Sequence, residues 1–253
     1  MKRFITALQF LTVFRVKKDL ETTVEELAAS MRYFPLVGAV QGTMLVVSSH
    51  LLSGLLPGNV VAGLEVLILA LTNGALHLDG FVDTVDGLAG GGSVEERLRI
   101  MRDSSTGAVG TAFVVLLILL KYLALANMPI EANRPALFMF PVMGRWAMVP
   151  MARWSKYARS GDGLGAAFAG NTTATLVTAT AIGAVLLAVA MGLIALLIML
   201  FLGLAVYAIS AFFRKKLGGV TGDVFGFQSE VAEVLFLIFV LAFSRILETN
   251  QFI

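Results

Sequence analysis

The sequence predicts an all-α protein, a polytopic transmembrane helical bundle, and three observations carry that prediction. Of 253 residues, 58% are hydrophobic and only 14% charged, against roughly 25% charged in soluble domains, and the mean hydropathy is +0.86. Apolar runs of about 20 residues, enough to cross a bilayer core as a helix, recur along the whole chain. The basic residues gather in alternate connections between those runs, the asymmetry that orients membrane helices. A single integral membrane domain over residues 1–253 is expected, with about six to eight helices of membrane-spanning length.

At the N-terminus, Lys2 and Arg3 precede an apolar stretch through Phe14 that Thr6, Gln9 and Thr12 interrupt, with no small-residue cleavage site after it. This reads as an interfacial amphipathic helix and not as a signal peptide. Candidate spans follow at residues 34–56, 60–78, 108–126, 135–152, 172–191, 192–213 and 231–247, the fourth the least apolar. With the N-terminus in the cytoplasm, three basic sets fall on the cytoplasmic side: Arg97, Arg99 and Arg102; Arg153, Lys156 and Arg159; Arg214, Lys215 and Lys216. The opposite connections hold only Arg134. Acidic and Gly-rich segments then share the cytoplasmic face of a multi-pass protein of the cytoplasmic membrane.

Composition excludes several chemistries. The chain has no cysteine, hence no thiolate ligand or thiol nucleophile. Its only histidines are His50 and His77, which disfavours a zinc site. A net charge of +2 is too small to suggest nucleic acid.

The segment His77-Leu78-Asp79-Gly80-Phe81-Val82-Asp83-Thr84-Val85-Asp86-Gly87 places three carboxylates at the end of an apolar run that reads as a membrane helix. On one helix Asp83 lies about 40° from Asp79 and Asp86 about 20° to the other side, so all three share a stripe. Clustered hard oxygen ligands suit Mg²⁺ or Mn²⁺ bridging carboxylates to a substrate's phosphates. They also suit a solvated helix end in which Asp residues cap turns. His77 points about 200° from the stripe, which fits a packing residue or a polar substrate contact.

Ser93 with Glu96 marks the start of a short helix to about residue 103, whose Arg99, Arg102 and Asp103 would project together. Ser104-Ser105-Thr106-Gly107, just before the third span, offers hydroxyls and free N–H groups that could bind an anion or simply cap the helix. Residues 217–226 are Gly-rich and include Asp223, with Glu230 and Glu233 following into the last span. Glu230 and Glu233 should face the bundle interior, where they could hold a cation or a ligand, unless they sit at a solvated helix start. Arg145 could pair with a carboxylate or clamp a phosphate. Lys121 is expected to snorkel to an interface, and Glu65, about 21 Å back along a straight helix from Asp79, could not share its metal.

Together these segments, with Arg32-Tyr33-Phe34-Pro35-Leu36-Val37-Gly38, Ile100-Met101-Arg102-Asp103-Ser104 and Gly218-Gly219-Val220-Thr221-Gly222-Asp223, resemble the cobalamin synthase family, the adenosylcobinamide-GDP ribazoletransferases. The resemblance covers nearly the whole chain. It implies a Mg²⁺-dependent transferase of the vitamin B12 nucleotide loop that joins α-ribazole, or its 5′-phosphate, to adenosylcobinamide-GDP and releases GMP. It further implies Asp79, Asp83 and Asp86 as metal ligands and, with Asp103, as catalytic residues. His77, Arg102, Ser104, Arg145, Asp223, Glu230 and Glu233 become substrate contacts. Ser105 and Gly144 depart from the family pattern, which touches substrate detail more than reaction class. The partners expected are the two substrates and membrane lipid, with an open lateral cleft for the corrinoid that a homo-oligomer could share.

The Asp pattern is also a partial match to the CDP-alcohol phosphotransferases, so a phospholipid synthase is the alternative enzyme. An ion-coupled transporter is the alternative of another class. Its inverted repeats are not found, since the acidic blocks near residues 80 and 225 differ in spacing.

Overall fold

The computed structural model describes residues 1–18, 20–103, 105–160 and 163–250. Its helices are α1 Lys2–Leu11, α2 Val24–Ser30, α3 Phe34–Leu52, α4 Gly58–Thr72, α5 Leu76–Gly90, α6 Val94–Ile100, α7 Ala108–Ala126, α8 Ile130–Trp154, α9 Thr173–Met191, α10 Leu196–Leu217 and α11 Gly222–Asn250. Short 3-10 turns sit at Met31–Tyr33, Leu164–Ala167 and Leu193–Ala195. The protein is an all-α bundle, as the composition requires.

Among the described residues five helical stretches are long and apolar enough to cross a membrane, or six if α4 and α5 count as one broken span. Two sequence expectations change here. The run at 60–78 is not one helix: α4 stops at Thr72, α5 starts at Leu76, and their axes differ by 88°. Gly74 (φ 58°) and Ala75 (φ 56°) are both left-handed, a conformation glycine adopts freely and alanine only at a cost of about 1–2 kcal/mol. The aspartates therefore ride on a separate helix turned away from α4.

The second change concerns α8, the expected fourth span, which does not reach membrane-spanning hydropathy. It carries Pro135, Pro141 and Pro150 and the buried Arg145, yet from Ala136 to Ala152 only Phe138 is less than buried. It is the central post, packed by α3, α11, α9 and α10. Neighbouring helices that exclude lipid let it keep prolines and a charge at its middle.

Helix α1 forms where the amphipathic pattern predicts it, but its apolar face docks on protein, with Ala7, Leu8 and Leu11 in the core. Helix α2 starts with a full capping box: Thr23 Oγ1 accepts from the Glu26 N–H and Glu26 accepts from the Thr23 N–H. Residues 155–160 are fastened to the start of α11 by a parallel bridge, with Ala158 N–H donating to the Val220 carbonyl and Val220 N–H to the Lys156 carbonyl, each at 2.9 Å. That bridge presents Tyr157 and Arg159 beside Asp223.

Candidate active site

Helix α5 crosses the start of α11 at a contact that only glycine permits. A Cβ on Gly80 would stand 2.7 Å from the Asp223 carbonyl oxygen, and one on Gly226 would stand 3.0 Å from the His77 carbonyl oxygen. Small residues at a crossing let backbones approach closely, and here the approach brings Asp223 to the Asp79–Asp83 stripe. Asp79 is exposed and Asp83 half-buried. Asp83 lies in the field of Asp79, Asp223 and Asp86, opposed by Arg159. Among the described residues no donor reaches the carboxylates of Asp79 or Asp83.

Asp223 is held. Its Oδ2 accepts from Arg159 Nη2 at 2.8 Å and from Thr221 Oγ1 at 3.2 Å, and Arg159 Nη2 also donates to the Met101 carbonyl at 3.4 Å. Asp79, Asp223 and Arg159 line one cavity of about 260 Å³, with His77 and Tyr157. The sequence carries no local signal for Tyr157 or Arg159 as site residues: Arg159 reads only as one of the basic residues that set topology, because the bridge to Val220 that positions it joins segments about 60 residues apart, beyond any periodicity argument.

Asp86 is turned to another task. Its Oδ2 accepts from the Gly107 N–H at 2.8 Å and its Oδ1 from the Gly110 N–H at 2.7 Å, so it caps the first turn of α7 from a distance in sequence. Of the segment expected as an anion site or helix cap, the Gly107 N–H thus meets a carboxylate supplied by the chain itself, as does the Gly110 N–H one turn on. A Cβ at Gly107 or Gly110 would stand 2.4 or 2.5 Å from an Asp86 oxygen. Among the described residues no group of three His, Cys, Asp or Glu side chains is placed to hold a metal ion. Mg²⁺ does not need three: it commonly takes one or two carboxylates and keeps water and substrate phosphate for the rest. Asp79 and Asp83, acidic and without donors of their own, fit that requirement.

Helix α6 begins at Ser93 as expected, with Ser93 Oγ accepting from the Glu96 N–H at 3.1 Å, but it ends at Ile100. Arg102 and Asp103 fall in the exposed turn after it, while Arg99 pairs with Glu96 at 2.7 Å, so the three do not project as one face. The Ser105 N–H donates to Asp103 Oδ1 at 3.0 Å and holds that carboxyl below the usual range. Asp103 shares a shallow cavity with Asp86 and Gly107. Ser104 lies outside the described residues.

Arg145, Glu230 and Glu233 do not line the Asp79 cavity. They meet Lys121 in the core: Lys121 Nζ donates to Glu230 Oε2 at 2.6 Å and to Glu233 Oε2 at 2.5 Å, and Arg145 Nη1 closes on Glu233 Oε1. Lys121 does not snorkel. It is 3% exposed, and it is the cation that the two glutamates hold. Arg145 Nη2 also donates to Asn73 Oδ1 at 2.8 Å, where Gln41 Nε2 donates too. The network therefore anchors the residue at which α4 breaks, and the break aims α5 at α11. Glu65 lines a different cavity with His50 and Arg134. His77 is 2% exposed, and neither ring nitrogen has a hydrogen-bond partner among the described residues.

Comparison with known proteins gives this arrangement its setting. A family model described as cobalamin-5-phosphate synthase matches residues 3–241. A Geotalea daltonii protein named adenosylcobinamide-GDP ribazoletransferase is 39% identical over 243 residues, covering 96% of this chain and 98% of its own. A protein of the same name from Syntrophobacter fumaroxidans is 39% identical over 243 residues, covering 92% of this chain and 96% of its own. Another from Clostridium acetobutylicum is 32% identical over 245 residues, covering 95% and 96%. No solved structure matches the chain. Matched over nearly its whole length in sequence, and carrying its acids where helices α5 and α11 cross, the chain belongs to the cobalamin-5-phosphate synthase family.

Proposed function

We propose that this protein joins α-ribazole, or α-ribazole 5′-phosphate, to adenosylcobinamide-GDP and releases GMP, the last assembly step of cobalamin biosynthesis. Beyond family membership, the observation that carries the chemistry is the convergence of Asp79 and Asp83 with Asp223 and Arg159 beside one cavity. In the reaction a ribose hydroxyl oxygen bonds to the phosphorus carried by the cobinamide. The bridging P–O bond of the pyrophosphate breaks, and GMP leaves with the electron pair. The hydroxyl proton goes to a carboxylate of the α5 stripe, as positioned acids and bases do in phosphoryl transfer. Asp79 and Asp83 would hold Mg²⁺, which when bound neutralises charge on the pyrophosphate and on the departing GMP; Asp86, whose two oxygens accept from the Gly107 and Gly110 N–H groups, would steady the stripe instead of ligating. Arg159, kept in place by Asp223, gives the site a fixed cation for phosphate oxygens.

Arg102 and Asp103, in the exposed turn after α6, are assigned to the guanylyl side, with Ser104. Arg145, Glu230 and Glu233 act through the bend at Asn73, as positioning residues. The alternate placement of basic connections supports a cytoplasmic-membrane protein with its N-terminus and site facing the cytoplasm.

Purified protein in lipid should form cobalamin and GMP from adenosylcobinamide-GDP with either ribazole form when Mg²⁺ is present, and chelation with EDTA should abolish both products. Folded protein that makes neither product, but transfers from a CDP-alcohol, would replace this reading with a phospholipid synthase.

A further inference from the structure

The cavity beside Asp79 has two chemically different ends. Asp79, Asp223 and Arg159 make one side polar, while most of the remaining wall is apolar and aromatic. Phe168 is the hub of that wall. It is 2% exposed, and its ring centroid lies 5.0, 5.6 and 6.3 Å from those of Phe10, Phe34 and Phe225. These four rings come from α1, α3, α11 and the turn before α9, so the fold converges on the cavity from separate elements. In the same wall sits His77, buried and with neither ring nitrogen hydrogen-bonded among the described residues. A buried imidazole without a partner is costly, and the cost is removed when a ligand supplies one.

Resting on the reaction proposed above, we propose that this cavity is the slot for the flat aromatic base of ribazole, with Phe168 packing against the base and His77 donating to its one free ring nitrogen. Size argues against the corrinoid. At about 260 Å³ the cavity falls below the range of about 300–1,000 Å³ that encloses drug-sized ligands. Polarity argues against guanine, the other flat base among the substrates. Guanine carries several donors and acceptors on its edges, and each would need a partner in a mostly apolar wall. A benzimidazole nucleoside presents one acceptor nitrogen, and a neutral imidazole offers one N–H. Insertion of the base here leaves the attached ribose on the polar side, where its hydroxyl meets the α5 carboxylates.

The test is steady-state kinetics in lipid, with KM measured separately for α-ribazole phosphate and for adenosylcobinamide-GDP. Phe168→Ala is expected to raise the ribazole KM about 5- to 150-fold, the range that stacking on an aromatic side chain supplies, and to leave the adenosylcobinamide-GDP KM within twofold. His77→Phe, which keeps the flat bulk but has no N–H, should raise the same KM about tenfold. An indole riboside, with carbon at the free nitrogen position, should bind wild type and His77→Phe alike. Melting temperature and monodispersity check that each variant is folded, and Phe168→Leu keeps the apolar volume should Phe168→Ala fail that check. An unchanged ribazole KM in folded variants, or a rise confined to adenosylcobinamide-GDP, overturns the slot while leaving the reaction standing. No product from wild type overturns the reaction, and the slot with it.

Discussion

Replacing Glu233 by alanine is expected to destabilise the protein by about 3–5 kcal/mol, the range measured when one partner of a buried ion pair is removed. Glu233 is fully buried and pairs with two cations, Lys121 and Arg145, while among the described residues Glu230 pairs with Lys121. Its loss leaves two positive charges against one negative among buried side chains. The effect should travel, because Arg145 also holds Asn73 at the break between α4 and α5. Substituting Lys121→Met and Glu230→Leu together should cost much less, since it removes one charge of each sign and leaves Arg145 facing Glu233. Thermal unfolding in detergent, followed by circular dichroism, checks both. Equal losses for the single and the double variant would show that charge balance does not govern this cluster.

Asp83→Asn is expected to behave in the opposite way. Asp83 lies among Asp79, Asp223 and Asp86, and among the described residues the opposing charge is Arg159, so the folded protein carries repulsion that the neutral amide relieves. The melting temperature should hold or rise. Turnover should fall about 10²- to 10⁴-fold, the usual weight of a positioned acid–base group. Gain of stability with loss of activity is the signature of a group kept for chemistry. GMP release and thermal unfolding on one preparation give both numbers; turnover near wild type would remove Asp83 from the reacting centre.

Much of this was legible in the residues, and what was not has identifiable causes. Hydropathy and charge asymmetry predict the bundle, and helical spacing predicts the Asp79–Asp83 stripe, because both depend on neighbours within a few turns. The break at residues 73–75 was also written locally. Asn73-Gly74 is a turn signal, but apolar residues flank it on both sides, so a count of apolar residues passes over it. Helix α8 misleads for the converse reason: its prolines and arginine depress hydropathy, and they are tolerated because other helices surround it. Asp86 capping α7, Lys121 between two glutamates and Arg159 on Asp223 are long-range pairings. Residue type shows that such charges need partners, and only the fold shows which partners they have.

The absence of cysteine allows a direct test of where substrate binds. Leu76 lines the Asp79 cavity, is 49% exposed and carries no chemistry. In Leu76→Cys protein reconstituted in lipid vesicles, a water-soluble maleimide should label the thiol, and saturating adenosylcobinamide-GDP with α-ribazole phosphate should slow that labelling at least tenfold. Labelling at the same rate with and without both substrates, in protein that still turns over, would contradict the placement of the active site where α5 crosses α11.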